Sequence, residues 1–236
     1  MSNEILLIIL YSSAAGLPIF VGGLISSILQ SRSFRLKSEI NHWIVAFGGG
    51  ALLSAVTFAL IPEAVPDFPV CGLIIVFLSG TAVFMVVDII TSKTSGSLAQ
   101  LISMMMDFLP EALVLGASFA ADRKFGLLLA IFIGLQNLPE GFNSYVELRN
   151  WLNRGKTLLL MAGLSFIGIF AALAGNLFLG DNKKVIAGIL LFASAGILYL
   201  IFQDIAPQSK KKSDWIPATG ASVGFILGMI GEKLLS

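Results

Sequence analysis

Long apolar runs separated by short polar breaks make up most of this chain. Each run has roughly the 20 residues that a helix needs to cross a bilayer, and the breaks contain charged or turn-forming residues. The pattern predicts an all-α membrane protein with eight transmembrane helices, the whole chain 1–236 forming a single transmembrane domain. The helices are expected near residues 5–29, 43–64, 70–91, 98–121, 125–147, 157–179, 184–206 and 215–235.

The composition agrees with a membrane-embedded chain and narrows the function classes. Of the 236 residues, 56% are apolar and only 12% are charged, and the mean hydropathy is +0.91. A lipid bilayer is therefore the expected surrounding, and no basic tail or patch suggests nucleic acid as a partner. Cys71 is the single cysteine, which excludes an intrachain disulfide and a Cys-x-x-Cys metal site.

The distribution of basic residues predicts the orientation. Ten of the 15 Lys and Arg residues lie in the first, third, fifth and seventh predicted loops, and basic loops are retained in the cytoplasm. Both termini are accordingly expected outside a multi-pass protein of the plasma membrane. The first apolar run follows Glu4 and no Lys or Arg, which argues against a cleaved signal peptide.

A weak internal repeat relates the second and seventh predicted helices. Residues 47–62 and 192–207 begin with Phe, end with Pro and have equal length, and each contains a run of small residues near its start. Because the two helices lie an odd number of spans apart, they cross the bilayer in opposite directions. This predicts an inverted repeat of helices 1–3 and 6–8 around central helices 4 and 5, with a substrate site near the midplane.

The residues that are least favourable within a bilayer lie in the two central predicted helices. Residues 107–111 and 136–140 are near copies that place Glu directly after Pro, so that Asp107, Glu111 and Glu140 all lie in membrane-length runs. Inserting three uncompensated carboxylates into the bilayer costs a free energy on the order of 7 to 10 kcal/mol. A cation bound between them would offset that cost.

Helical spacing gathers the polar residues into two stripes. Asp107 and Glu111 share one face of the fourth helix, and Gln136 and Glu140 share one face of the fifth. Other polar residues expected along the same path are Ser103 on the fourth helix and Asn143 and Ser144 on the fifth. These side chains are all oxygen donors, which suit Mn²⁺, Fe²⁺ or Mg²⁺, while Zn²⁺ also accepts carboxylates. Glu63 and Asp204 are expected at the two opposite mouths of the path.

The paired Pro-Glu motifs resemble the Zrt-, Irt-like protein (ZIP) family of divalent metal transporters. The fifth-helix motif of that family is intact as residues 136–141, Gln-Asn-Leu-Pro-Glu-Gly. The fourth-helix motif departs from the family pattern, because Asp107 stands at the usual histidine and Phe108 at the usual asparagine.

The resemblance implies transport of a divalent cation, such as zinc, iron or manganese, into the cytoplasm. It implies a metal site built from Asp107, Glu111, Gln136 and Glu140, with the metal as transported substrate and no cofactor. Asn137 matches a position that helps to hold a second metal in many members. Since Phe108 and a sixth helix without acids cannot complete that second site, one site is expected. A homodimer is possible.

Two other function classes remain open. A proton-coupled carrier of organic solutes would use the same intramembrane carboxylates without metal. An intramembrane enzyme is disfavoured, because the single histidine, His42, lies at a predicted helix end and neither Gly-x-Ser-x-Gly nor His-Glu-x-x-His occurs.

Overall fold

The computed structural model describes residues 2–31, 37–93, 97–121, 123–180, 182–210 and 215–235. As the apolar runs predicted, this part of the chain is all-helical and contains no strand. Its eight long helices are α1 (Ser2–Ser31), α2 (37–64), α3 (Val70–Ser92), α4 (Ser97–Ala121), α5 (Arg123–Leu148), α6 (Arg154–Leu179), α7 (183–209) and α8 (Ile216–Leu235).

Six of these helices are long and apolar enough to cross a bilayer, counted over the residues that the structure describes. They are α1, α2, α3, α5, α6 and α7. Their burial differs: 67% of the most apolar stretch of α2 and 61% of that of α5 are buried, against 11% for α3. Helices α2 and α5 are therefore central, and α3 lies at the periphery.

Helices α2 and α7 each contain one π-helical turn. Lys37–Ala55 continues through the π turn Val56–Leu60 into Ile61–Ala64, and Lys183–Leu200 continues through Ile201–Ile205 into Ala206–Ser209. Each π turn lies just before a proline, Pro62 or Pro207, whose ring clashes with the carbonyl one turn earlier in a regular α-helix. The wider turn accommodates that ring. The two π turns occupy the same positions within segments 47–62 and 192–207.

Glycines bring the helices around α4 and α5 into close contact. Helix α1 packs on α5 and α6, and α4 packs on α5 and α6. A Cβ atom added to Gly141 of α5 would lie 2.2 Å from the carbonyl oxygen of Ile19, and one added to Gly116 of α4 would lie 1.7 Å from that of Ala172. Small residues at such crossings let the backbones approach, which is the main way helices associate within a bilayer.

Two further helix pairs, α2 with α8 and α3 with α7, pack beside this unit. On α8, Gly220 and Gly224 face the carbonyl oxygens of Trp43 and Phe47, and the Trp43 indole N–H donates to Thr219 Oγ1 at 3.1 Å. Helices α2 and α7 then contact α5 and α4, respectively, so polar residues from four helices can converge.

Candidate functional site

A buried carboxylate–amide pair joins the two central helices. Glu111 of α4 and Gln136 of α5 are 3% and 1% exposed, and Gln136 Nε2 donates a hydrogen bond to Glu111 Oε2. Buried apolar side chains, Phe108, Leu115 and Phe132 among them, lie within a turn of the pair along α4 and α5. A carboxylate in such surroundings is stabilised only by polar partners and cations.

The carbonyl oxygen of the same amide is buried without a partner. Gln136 Oε1 accepts no hydrogen bond from any residue that the structure describes. An unsatisfied buried acceptor costs about 1 to 3 kcal/mol. A cation that coordinates Gln136 Oε1 together with the Glu111 carboxylate would remove that cost, so this donor set fits a metal ion.

Asn137 faces away from this pair and links α5 to α1. Its Nδ2 donates to the carbonyl oxygen of Ala15 at 2.8 Å, and the side chain is 1% exposed. Adjacent residues on a helix point in directions about 100° apart, so Gln136 and Asn137 serve different interfaces. In this structure, Asn137 therefore contributes to helix packing.

Gln136 also lines a cavity of about 510 Å³ at one end of the bundle. We call it the inner cavity, because the predicted orientation places this end in the cytoplasm. It is formed by α2, α3, α5, α7 and the α5–α6 connection. Four predicted path residues line it: Glu140, Asn143, Ser144 and Asp204. Of these, Ser144 is fully buried and the other three are half-buried.

The inner cavity is strongly acidic. Its described lining contains four carboxylates, Asp88, Glu140, Glu147 and Asp204, and no Lys or Arg. A concave, negatively charged wall raises the local concentration of cations. Two hydrogen bonds brace this wall: Tyr199 Oη donates to Asp88 Oδ2 at 2.8 Å, and Asn143 Nδ2 donates to Gln208 Oε1 at 3.2 Å.

Asp88 and Gln208 belong to this cavity although no motif pointed to them. Asp88 lies near the end of an otherwise apolar helix, and Gln208 follows Pro207 at the end of α7. Each has a polar neighbour at helical spacing, Thr91 for Asp88 and Asp204 for Gln208. Their hydrogen-bond partners, however, come from other helices. Only the tertiary packing of α3 and α7 brings them to the wall.

The remaining predicted residues lie elsewhere. Glu63 is exposed at the opposite end of the bundle, where it lines a separate cavity of about 220 Å³. The side chains of Asp107 and Ser103 lie outside the described residues. Among the described residues, no group of three or more His, Cys, Asp and Glu is close enough to hold a metal ion.

Comparison with known proteins gives one informative similarity. The chain is 31% identical over 149 residues to the protein described as "Zinc transporter GufA" of Myxococcus xanthus. The matched part is 61% of this chain, and the chain covers 58% of that protein's length. No family model matches the sequence.

Proposed function

We propose that this protein is a carrier of the ZIP type that moves a divalent metal cation across the membrane into the cytoplasm. The observation that carries the proposal is the buried Glu111–Gln136 pair. The amide oxygen of Gln136 has no partner among the described residues, and Gln136 lines an acidic cavity. The similarity to a protein described as a zinc transporter supports the same function.

The proposed transport site lies between α4 and α5. Glu111, Gln136 and Glu140 supply oxygen ligands, and Asp107, one turn before Glu111 on α4, supplies a further carboxylate. The cation is the transported substrate of this site. Oxygen donors accept Mn²⁺, Fe²⁺ and Zn²⁺, and the similarity to a protein described as a zinc transporter supports zinc as one candidate.

The proposed architecture has eight spans and an inverted repeat of α1–α3 and α6–α8. The packing of the helices supports it. In such a repeat, α1 corresponds to α6, α2 to α7, α3 to α8 and α4 to α5. The packing of α1 on α5 then corresponds to that of α6 on α4, and the packing of α2 on α8 to that of α7 on α3, and all four contacts are present. The matched π turns of α2 and α7 give independent support. Such repeats are typical of carriers with a central site.

The proposed path runs from the outer end past the central pair into the inner cavity. Glu63 stands at the outer mouth, and Asn143, Ser144 and Asp204 lie on the inner side, with Ser103 on the same face of α4 as Asp107. The basic residues in alternate loops support an orientation in which the inner cavity faces the cytoplasm. Cations released from the central site would therefore enter an acidic compartment that opens inward.

A proton-coupled carrier of organic solutes is the second candidate. The inner cavity, about 510 Å³, falls within the range of 300 to 1,000 Å³ that is typical of small-molecule sites. That volume is the observation in its favour. A described lining with four carboxylates and no Lys or Arg suits a cation better than an organic anion, which makes the metal carrier the stronger proposal.

The proposal is tested by metal-dependent thermal unfolding and by uptake into proteoliposomes. We expect Mn²⁺, Fe²⁺, Zn²⁺, Cd²⁺ or Co²⁺ to raise the stability of the purified protein, by about 2.7 kcal/mol at a concentration of 100 Kd. Neutralising a ligand in Glu111→Gln or Glu140→Gln should lower uptake by about tenfold or more and reduce the thermal shift.

Glu232→Gln is the matched control, since it removes a carboxylate near the end of α8 that lines neither cavity. It should behave like the parent protein. Absence of a shift with all five metals, together with parental uptake by Glu111→Gln, would refute the metal carrier. Uptake of an organic solute without any metal shift would favour the second candidate.

A further inference from the structure

The cavity at the outer end combines side chains from three separate chain connections. Its lining includes Glu63 from the end of α2, Asp67 from the turn that follows α2, Ser118 from the end of α4, Phe125 from the start of α5 and Lys183 from the start of α7. The volume is about 220 Å³, large enough for a hydrated ion and too small for most organic solutes.

The two carboxylates stand on one side of the same helical end. Glu63 and Asp67 are four residues apart, the first in the α-helical turn Ile61–Ala64 and the second at the end of the turn Val65–Asp67. Like charges at this spacing repel each other at a cost of a few tenths of a kcal/mol, about 0.2 to 0.5. A positive charge between them removes that repulsion.

Ser118 adds a buried hydroxyl oxygen to this cavity, and its lack of a hydrogen-bond partner among the described residues suggests that it binds a ligand. The side chain is 4% exposed. Four other buried serines donate to a carbonyl oxygen of their own helix, at 2.6 to 3.0 Å: Ser12, Ser54, Ser165 and Ser194. Ser118 does not, and it lines the cavity.

We propose that the outer cavity is a capture site for the divalent cation, in which the Glu63 and Asp67 carboxylates and the Ser118 hydroxyl bind the ion and the Lys183 ammonium competes with it. The side chains are hard oxygen donors of the kind that divalent cations accept while retaining some water. Lys183 lies in the same cavity and supplies one positive charge, which an arriving divalent ion must displace.

The position of the cavity relates the capture site to the central pair. Ser118 lies seven residues after Glu111 on α4, about 10 Å along the same helix face. Leu115 and Phe132, each at most 1% exposed, lie at the level between them. A cation held at Ser118 is thus one apolar layer away from Glu111, and it reaches the central site when that layer opens.

This inference rests on the proposed function, and the kinetics of uptake separate the two. We expect Lys183→Met to lower the KM for Mn²⁺ uptake by about threefold or more and Asp67→Asn to raise it by a similar factor, since each changes one unit charge near a divalent ion. Ser118→Ala should also raise KM. The kcat should stay unchanged in all three variants, because the central ligands are intact.

Lys184→Met is the matched control. It removes the same charge from the neighbouring exposed residue, which does not line the cavity, and its KM should equal that of the parent. Suppose that Lys183→Met and Asp67→Asn have the same KM as Lys184→Met, while the parent transports and Glu111→Gln does not. The capture site is then wrong and the proposed function stands. If Glu111→Gln transports like the parent, the proposed function itself fails.

Direct binding gives a readout that does not depend on transport. In the Glu111→Gln background, Mn²⁺ titration of the purified protein should still detect one weak site. Adding Asp67→Asn or Ser118→Ala should abolish it, and adding Lys183→Met should tighten it by about threefold or more. A weak site that survives both losses would place the binding elsewhere and overturn the assignment.

Discussion

The N–H group and the carbonyl oxygen of the Gln136 amide have different surroundings. Its N–H group holds Glu111, and its carbonyl oxygen remains buried beside the inner cavity without a protein donor in the described part of the chain. An amide can do this, whereas a second carboxylate at position 136 would repel Glu111 and a leucine would leave the Glu111 carboxylate without this donor. Gln136 therefore keeps an acid in an apolar layer and still offers an oxygen to a cation.

Replacing Gln136 with alanine tests this role through stability. We expect Gln136→Ala to lower the free energy of unfolding by about 1 to 3 kcal/mol in the presence of a chelator, because Glu111 stays buried and loses a charge-assisted hydrogen bond. The measurement is thermal or denaturant unfolding of the purified protein.

Removing both partners gives the control for that prediction. Since the cost arises from the carboxylate that is left behind, Glu111→Leu combined with Gln136→Ala should be less destabilising than the two single losses together. Full additivity of the two changes would show that the pair is not energetically coupled.

At the scale of elements, glycines decide how closely α1 and α6 approach α5 and α4. Gly22 and Gly141 face the carbonyl oxygens of Leu138 and Ile19, and the α4–α6 crossing repeats this reciprocal arrangement with Gly175 against Leu113 and Gly116 against Ala172. Each crossing thus uses two glycines at which a Cβ would overlap backbone of the partner helix. Backbone cannot move aside as a flexible side chain can.

Two glycines on α6 make a matched comparison. A Cβ on Gly175 would lie 1.8 Å from the Leu113 carbonyl oxygen, whereas one on Gly163 would meet nothing within 4 Å. We expect Gly175→Ala to destabilise the protein by about 1 to 3 kcal/mol through overpacking. Gly163→Ala should be neutral or stabilising by up to about 1 kcal/mol, because alanine is the better helix former.

Unfolding midpoints in detergent measure both glycine variants. Equal midpoints for Gly175→Ala and Gly163→Ala would mean that the α4–α6 crossing is looser than the structure shows.

The elements also show what the sequence can and cannot predict. The all-helical class follows from the apolar runs, and the meeting of Glu111 with Gln136 follows from stripes on two adjacent helices, although their role as metal ligands stays a prediction. The π turns of α2 and α7 were not predicted, because no residue type specifies a π turn. The only local sign of them is the proline that follows, Pro62 or Pro207.

Some residues of the two cavities could not be predicted from the sequence. Ser118 lies seven residues after Glu111 and therefore on the same face of α4, but Asp67 and Lys183 join it from two other connections. Asp88 likewise reaches the inner cavity only because α3 packs on α7 and Tyr199 holds its carboxylate. Such convergence depends on tertiary contacts between helices far apart in the chain, which spacing within one helix does not encode.

At the scale of the whole molecule, two polar cavities lie at opposite ends of the bundle with a buried pair near the inner one. The acidic inner cavity reaches Gln136, whereas Leu115 and Phe132 lie between the pair and the outer cavity. If the pair is the central site of the proposed carrier, that site lies closer to the inner cavity than to the outer one. The prediction of which side of the membrane this end faces rests on the basic residues of alternate loops, so a measured orientation decides which compartment each cavity opens to.

Cys71 is a native reporter of that orientation, since it is the single cysteine and is exposed at the start of α3, the end at which the outer cavity lies. The predicted topology places it outside, so a membrane-impermeant maleimide should label the protein in intact cells. In a Cys71→Ser background, Lys184→Cys at the same end should be labelled likewise, and Asn150→Cys, exposed at the opposite end, should be labelled only after permeabilisation. The reverse pattern, with Asn150→Cys labelled in intact cells and Lys184→Cys protected, would invert the molecule in the membrane. The acidic cavity would then open outward, and the proposed capture site would face the cytoplasm.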